Sequence, residues 1–236
     1  MAIAHDTATR WPTTNGTSGT NSVDTTTGDR TFSHSGSASA TAAVVMLLAT
    51  GNSAVATGVL YGGVAMTLTT SATDTTEAGM VWIYTLVGDP IPQGTQTVTV
   101  QECTATGKWA TCCTMTGTYP YVATSNKTDT TTSANPTIAL TTTAASSMGY
   151  AAAHDGAAAP ATAMTSGTLL HQNDYGALCA NTGRFTSAVG ASTTSITFTI
   201  GSDDWCCAGV AFSEGVAQPV FPPHPYRGIV AEPVVA

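Results

Sequence analysis

The sequence predicts an all-β protein: a jelly-roll-type antiparallel β-sandwich with extended N- and C-terminal arms. Three observations carry this expectation. Short runs rich in Val, Ile, Thr and aromatic residues recur along the chain, separated by Gly, Pro and Asn turns. Almost nothing repeats at a 3.6-residue period, and the alanine cluster at 151–161 is broken by Gly156 and Pro160. Threonine is about a fifth of the chain, and its branched Cβ suits a pleated, half-buried surface.

The strongest local signal lies at 59–86. Val59-Leu-Tyr runs into Gly62-Gly63, and Val64-Ala-Met-Thr-Leu runs out. A two-residue Gly-Gly link supplies the positive φ that a tight hairpin turn needs. Met80-Val-Trp-Ile-Tyr-Thr-Leu then follows, apolar on both faces, as in a strand covered on both sides. The hairpin and this central strand are expected to be the nucleus of the domain.

The other elements follow in order. Residues 1–30 are Thr/Gly/Asn/Ser-rich and read as an arm with one strand near Ile3. Order begins at Thr31-Phe-Ser-His, and 42–50 is a buried strand ended by a turn at 51–53. A polar loop is expected at 71–78 and a Pro-containing connection at 88–94, because proline cannot donate to a ladder. At 96–101, Val98 and Val100 alternate with threonine, and 108–115 is the next strand. Residues 119–135 read as a polar excursion, 136–142 and 146–153 as short strands, 156–160 as a loop and 168–172 as a strand. A largely looped stretch is expected at 173–192, then alternation of Ile196, Phe198 and Ile200, a turn at 201–204 and a last core strand at 205–212. The total is nine to eleven strands, with one sandwich over 31–214.

From 215 the composition changes. Five of the eleven prolines fall in 215–236, interleaved with Phe221, Tyr226, Ile229, Val234 and Val235. Proline favours extended polyproline II, and a purely solvated linker would not carry so many large apolar groups. The segment reads as an arm whose anchors Phe221, Tyr226, Ile229 and Val234 lie across a neighbouring subunit; packing back on its own domain is the alternative.

Charged residues are only 8% of the chain, against roughly 25% in an average soluble domain. The formal net charge is −8, with six Lys and Arg. That excludes a basic footprint for nucleic acid or an anionic membrane. Threonine hydroxyls and small apolar groups cost little to desolvate, so the surface suits packing in an assembly. The N-terminus has no basic region followed by an apolar stretch, and synthesis in a cytosol without export is expected.

Six cysteines fall at 103, 112, 113, 179, 206 and 207. Cys112-Cys113 and Cys206-Cys207 are vicinal in strand-like runs, where adjacent side chains point to opposite faces. This favours free, buried thiols over disulfides. A metal site comes last, since the usual C-x₂-C spacing is missing.

Motifs of chemistry are weak. His5-Asp6 and His154-Asp155 are adjacent pairs, but a triad needs a nucleophile and a base held by a third group. Asp203-Asp204 reads as a turn at a strand entrance rather than a cation site. Trp82, Trp109 and Trp205 sit in strand patterns and read as core, whereas Trp11 in the polar lead-in is the candidate exposed ring. No enzymatic activity and no cofactor or metal is expected.

Several runs carry a family resemblance. They are Phe32-Ser-His-Ser, Ala43-Val-Val-Met-Leu-Leu, Val59-Leu-Tyr-Gly-Gly-Val-Ala-Met-Thr, Trp82-Ile-Tyr-Thr-Leu, Pro92-Gln-Gly-Thr-Gln-Thr-Val-Thr-Val and Asp204-Trp-Cys-Cys-Ala-Gly-Val-Ala-Phe. Together they resemble a family of jelly-roll virion structural proteins of tailed bacteriophages, over about residues 32–213. Cys206 and Cys207 stand where that family usually carries Val or Ala, and the two arms have no counterpart in it.

The resemblance implies a capsid cement or decoration protein on the particle surface, made in the host cytoplasm. Its implied partners are the major capsid protein or other virion proteins. It also implies a homo-oligomer, a trimer by preference, with no nucleic acid or membrane partner. The alternative is a tail-fibre or adhesin module that binds a host-surface glycan.

Overall fold

The computed structural model describes residues 3–12, 24–51, 56–74, 76, 79–88, 91–104, 107–117, 120–133, 135–142, 147–156, 161–174, 179–187, 193–200 and 203–214. In the first half of the chain the strands are β1 (Ala4–Trp11), β2 (Gly28–Ser35), β3 (Ala40–Thr50), β4 (Gly58–Tyr61), β5 (Val64–Ala65), β6 (Thr67–Asp74), β7 (Gly79–Val87), β8 (Thr95–Cys103) and β9 (Gly107–Thr116). In the second half they are β10 (Pro120–Ser133), β11 (Thr137–Thr141), β12 (Ser147–Asp155), β13 (Ala163–Thr165), β14 (Thr168–Asp174), β15 (Cys179–Ser187), β16 (Thr193–Thr199) and β17 (Asp203–Glu214). The described residues are all-β, and every strand pairing is antiparallel.

Four sheets form four layers. Two five-stranded sheets lie inside, with orders β1-β9-β3-β7-β6 and β10-β17-β12-β15-β14. A β2-β8-β4-β5 sheet covers the first, and a β11-β16-β13 sheet covers the second. Three apolar cores separate the layers. Val45 and Leu47 of β3 meet Val59, Val98 and Val100 in the first core. Val44, Met46 and Leu48 of the same strand meet Tyr150, Val210 and Phe212 in the second. Ala151, Ala153 and Cys207 meet Ile138, Ile196 and Phe198 in the third. Alternation along β3 therefore feeds two cores at once, which is why the strand is continuously apolar.

The two halves share one topology. Replacing β1, β9, β3, β7 and β6 by β10, β17, β12, β15 and β14 reproduces the inner order, and β2-β8-β4 becomes β11-β16-β13. The match extends to a bulge: the β6–β7 ladder shifts between Leu68 and Thr70, and the β14–β15 ladder between Leu169 and His171. The facing inner sheets also follow a shared geometry. The edge bearing β6 packs on β10 and β17, while His5 of β1 reaches Tyr150 of β12. The Cys206 Sγ lies 3.6 Å from the Gly79 carbonyl oxygen. Trp109 of β9 meets His154, and His5, the ladder partner of Met115, meets Tyr150. So β9 runs against β12, and β17 runs in the same direction as β7. These relations define a pseudo-two-fold axis along the strands, between the inner sheets.

The hairpin is present, with Tyr61 opposite Val64 and Leu60 opposite Ala65. Gly62 and Gly63 both have positive φ, +57° and +80°. Its second arm is shorter than 64–68, because after Met66 the chain changes sheet and β6 pairs with β7 instead. Other differences share one cause. The expected loop at 71–78 is strand to Asp74, the expected excursion at 119–135 contains β10, and the expected loop at 173–192 contains β15. Threonine and small residues weaken the apolar signal of these stretches without weakening their capacity to pair. The strand expected near Ile3 is, by contrast, present as β1, an edge strand on β9. Among the described residues there are seventeen strands in four antiparallel sheets, where nine to eleven strands were expected.

All six cysteines are buried free thiols. Cys112 packs in the first core and Cys113 in the second, while Cys206 lies in the second and Cys207 in the third. Trp82, Trp109 and Trp205 are buried, as their strand patterns predict.

Layer spacing depends on glycine at close approaches. A Cβ on Gly149 would collide with the Phe185 ring on the neighbouring strand. Gly149→Ala is therefore expected to lower stability by about 1–3 kcal/mol. Phe185→Leu in the same chain is expected to recover part of that loss. Denaturant unfolding of the single and double variants checks both.

Candidate interaction surface

The adjacent His-Asp pairs do not form dyads. His154 points into the second core against Trp109, with ring centroids 6.4 Å apart, and neither ring nitrogen has a hydrogen-bond partner. Asp155 points the other way and accepts from the Asn181 side-chain amide at 2.8 Å. Strand alternation separates the two side chains. At the other pair, His5 Nδ1 lies 2.9 Å from the Tyr150 hydroxyl. Asp6 accepts from the Ser37 backbone N–H at 2.6 Å and the Thr114 hydroxyl at 2.9 Å.

His34, Thr114 and Asp6 contain the residue types of a triad in the wrong order. His34 Nε2 is 3.2 Å from Thr114 Oγ1, but its Nδ1 faces Thr9 Oγ1 at 3.0 Å rather than a carboxylate. A base needs that second nitrogen held by the orienting group. The cluster works as a clasp: Thr7 and Thr9 of β1 tie an edge of the inner sheet to His34 of the outer one. The Thr7 hydroxyl also donates to the Ser35 carbonyl at 2.7 Å.

Among the described residues, no three His, Cys, Asp or Glu side chains converge as a metal ion requires. No helix among them is long and apolar enough to cross a membrane. Trp11 is half-buried and stacks on Phe32 at 6.0 Å with planes 8° apart. The crevice beside it, lined in part by Arg10, His171 and Asn173, has a volume of about 20 Å³. That is room for about one water, not a sugar ring. Asp203 opens β17, and the Asp204 carbonyl accepts from Gly156 N–H at 3.1 Å. Burial pushes the Cys112 and Cys113 thiols up, and Cys206 up to about 12.

Both outer sheets present hydroxyls, paired across strands: Ser35–Thr95 at 2.8 Å on one, Thr137–Thr197 at 2.9 Å and Thr141–Thr193 at 2.8 Å on the other. Such pairs fix side chains that would otherwise rotate freely. Exposed apolar side chains interrupt this surface. Among the described residues the exposed large hydrophobics are Leu68, 49% exposed, and Val64, 44%. Leu68 lines a groove of about 460 Å³ with Thr67, Thr69, Thr85, Leu86 and Val87. Thr69 and Thr85 bond to each other there at 2.7 Å.

The expected arm anchors Phe221, Tyr226, Ile229 and Val234 lie outside the described residues. Leu68 and Leu86 were not among the candidates. In an alternating strand nothing local marks which apolar residue will be left uncovered. Comparison with protein-family models finds no match, and none is found among curated proteins or solved structures.

The histidines make stability pH-dependent. Burial lowers His34, His154 and His171 to about 4, and lowers His5 as well. Asp6 opposes the shift at His34, and Arg10 adds to it at His171. The unfolded chain thus binds more protons below about pH 6.5, so stability falls as pH drops from there towards about 4. Fully buried His154 accounts for on the order of 3 kcal/mol of that loss. His154→Leu is expected to remove this share, read as the difference in unfolding free energy between pH 7 and pH 4.5.

Proposed function

We propose that this chain is a structural protein of a phage virion: a cement or decoration subunit that binds the capsid shell and bridges neighbouring subunits. The observation that carries this reading is the hydroxyl-faced exterior of both outer sheets over a stack with three apolar cores. A surface with so few charges loses little hydration when it meets another protein surface. The strand orders support reading each half as a jelly roll. β1-β9-β3-β7 faces β2-β8-β4-β5, and β10-β17-β12-β15 faces β11-β16-β13, the arrangement two interleaved Greek keys produce. The motif at 59–67 that resembles phage virion proteins supplies the hairpin and ends beside the exposed Leu68.

The mechanism is adhesive. Many copies hold one shell, so weak contacts sum through multivalency. The partners are the major capsid protein or other virion proteins, within a homo-oligomer, a trimer by preference. Segment 215–236 extends the contact to neighbouring subunits.

Gold-labelled antibody on particles from the host is expected to mark the particle surface. Label confined to the cell lysate overturns the reading. Deleting 215–236 is expected to leave the unfolding midpoint unchanged and to weaken attachment to bare shells by about tenfold or more.

A further inference from the structure

We propose that the groove formed by Thr67, Leu68, Thr69, Thr85, Leu86 and Val87 receives the 215–236 segment of a second copy of this chain. The inference rests on the assembly reading above and names the receptor that reading leaves open.

The pseudo-two-fold symmetry indicates that something covers this groove. Leu68 pairs with Tyr84 one step before the β6 bulge, and Leu169 pairs with Gly183 one step before the β14 bulge. The two leucines are topological equivalents. Leu169 packs against the third core, and Met164 lies over both Gly183 and Gly167 beside it. Leu68 has no such cover among the described residues and is half exposed. One unit packs this position against its own core, partly buried, whereas the other presents an exposed apolar floor flanked by threonine hydroxyls.

The chemistry of 215–236 fits that floor. It offers Phe221, Tyr226, Ile229 and Val234 between five prolines, with one Arg, one Glu and one His. Pro219, Pro222, Pro223 and Pro225 prevent 219–225, which carries Phe221, from adding to the β6 edge as a paired strand. A polyproline-type chain instead seats apolar side chains in a groove and offers its free carbonyls to nearby hydroxyl donors. The groove supplies Leu68 and Leu86 for the first and threonine hydroxyls for the second.

Position explains why the occupant is a second copy. Cys206 of β17 sits at the Gly79 end of β7, and β17 runs with β7, so Glu214 lies at the Val87 end of the stack. The segment therefore leaves at the end of the stack where the groove lies. Pro219, Pro222, Pro223 and Pro225 stiffen the stretch that carries Phe221 and Tyr226. Proline-rich spacers extend rather than double back, so the occupant is taken to be the segment of a second copy. Fully extended, the 22 residues of 215–236 reach about 70 Å, beyond the roughly 45 Å diameter expected of a compact chain this long. Two copies meeting at this end exchange segments, each giving one and receiving one.

The test places the photo-cross-linker p-benzoylphenylalanine at position 68 of the full-length chain. Equal amounts of unlabelled and ¹⁵N-labelled protein are mixed before irradiation. The expected product joins residue 68 to a peptide from 215–236, with mixed isotope labels. Adducts with one label only place the segment on its own chain and overturn the proposal, as does the absence of any adduct to 215–236.

Leu68→Glu changes an exposed residue, so the fold is retained, which far-ultraviolet circular dichroism checks. It is expected to raise the concentration for half-dissociation of the oligomer by about tenfold or more. Unchanged self-association overturns the proposal. Mixed-label adducts from a protein that does not mark particles sink only the virion reading. Particle labelling without such adducts sinks only this one.

Discussion

The structure depends on burying two sheets on both faces. Every residue of β12 is buried, and β3 is buried throughout except at Thr41. A strand in that position satisfies its backbone through ladders on either side, but its side chains meet no water on either face. Each inner sheet therefore needs an outer sheet, and the inner pair needs each other. Close approach then demands small side chains at the contacts. Gly79 lies against His154, and Gly209 lies under Ile138 and Leu140. The vicinal cysteines obey the same demand. Each supplies one small apolar group to either side of its strand, and neighbouring cores share the pair.

The second core is not uniformly apolar. Where β9 faces β14 and β15, the Thr111 hydroxyl lies 3.1 Å from the Thr182 hydroxyl and 3.0 Å from His171 Nδ1. Farther along this seam, His5 meets Tyr150. These groups lie between sheets at a cost that partners offset. Threonine suits the place because its methyl packs like that of valine while its hydroxyl finds a neighbour. The same residue on the outer sheets makes a surface that is ordered yet uncharged. One residue type thus serves interior and exterior, and explains how a chain with so few charges folds into layers with polar outer faces.

The two units share a strand order but not a surface. Leu169 packs partly buried against the third core, which contains Met164, whereas Leu68 stands exposed beside Leu86. Near-symmetry broken at one apolar position gives the molecule a direction. The hydroxyl faces are area of low desolvation cost, and the groove is an exposed apolar site within that polar surface.

Much of the architecture was legible in the sequence. Alternation at Val98 and Val100, continuous apolar character from Ala42 to Ala49 and the Gly62-Gly63 turn are local facts, and local sterics decide them. The opposite-facing cysteines and the buried tryptophans follow from the two-residue period of a strand. Strands β10 and β15 were hidden because threonine and alanine pair without an apolar signature. Tertiary structure alone decided that β6 leaves the hairpin for β7, that two units stack through their inner sheets, and that Leu68 stays open while Leu169 does not. Those outcomes depend on partners distant in the chain. A strand's own residues specify its two faces, but what comes to cover each face is specified elsewhere.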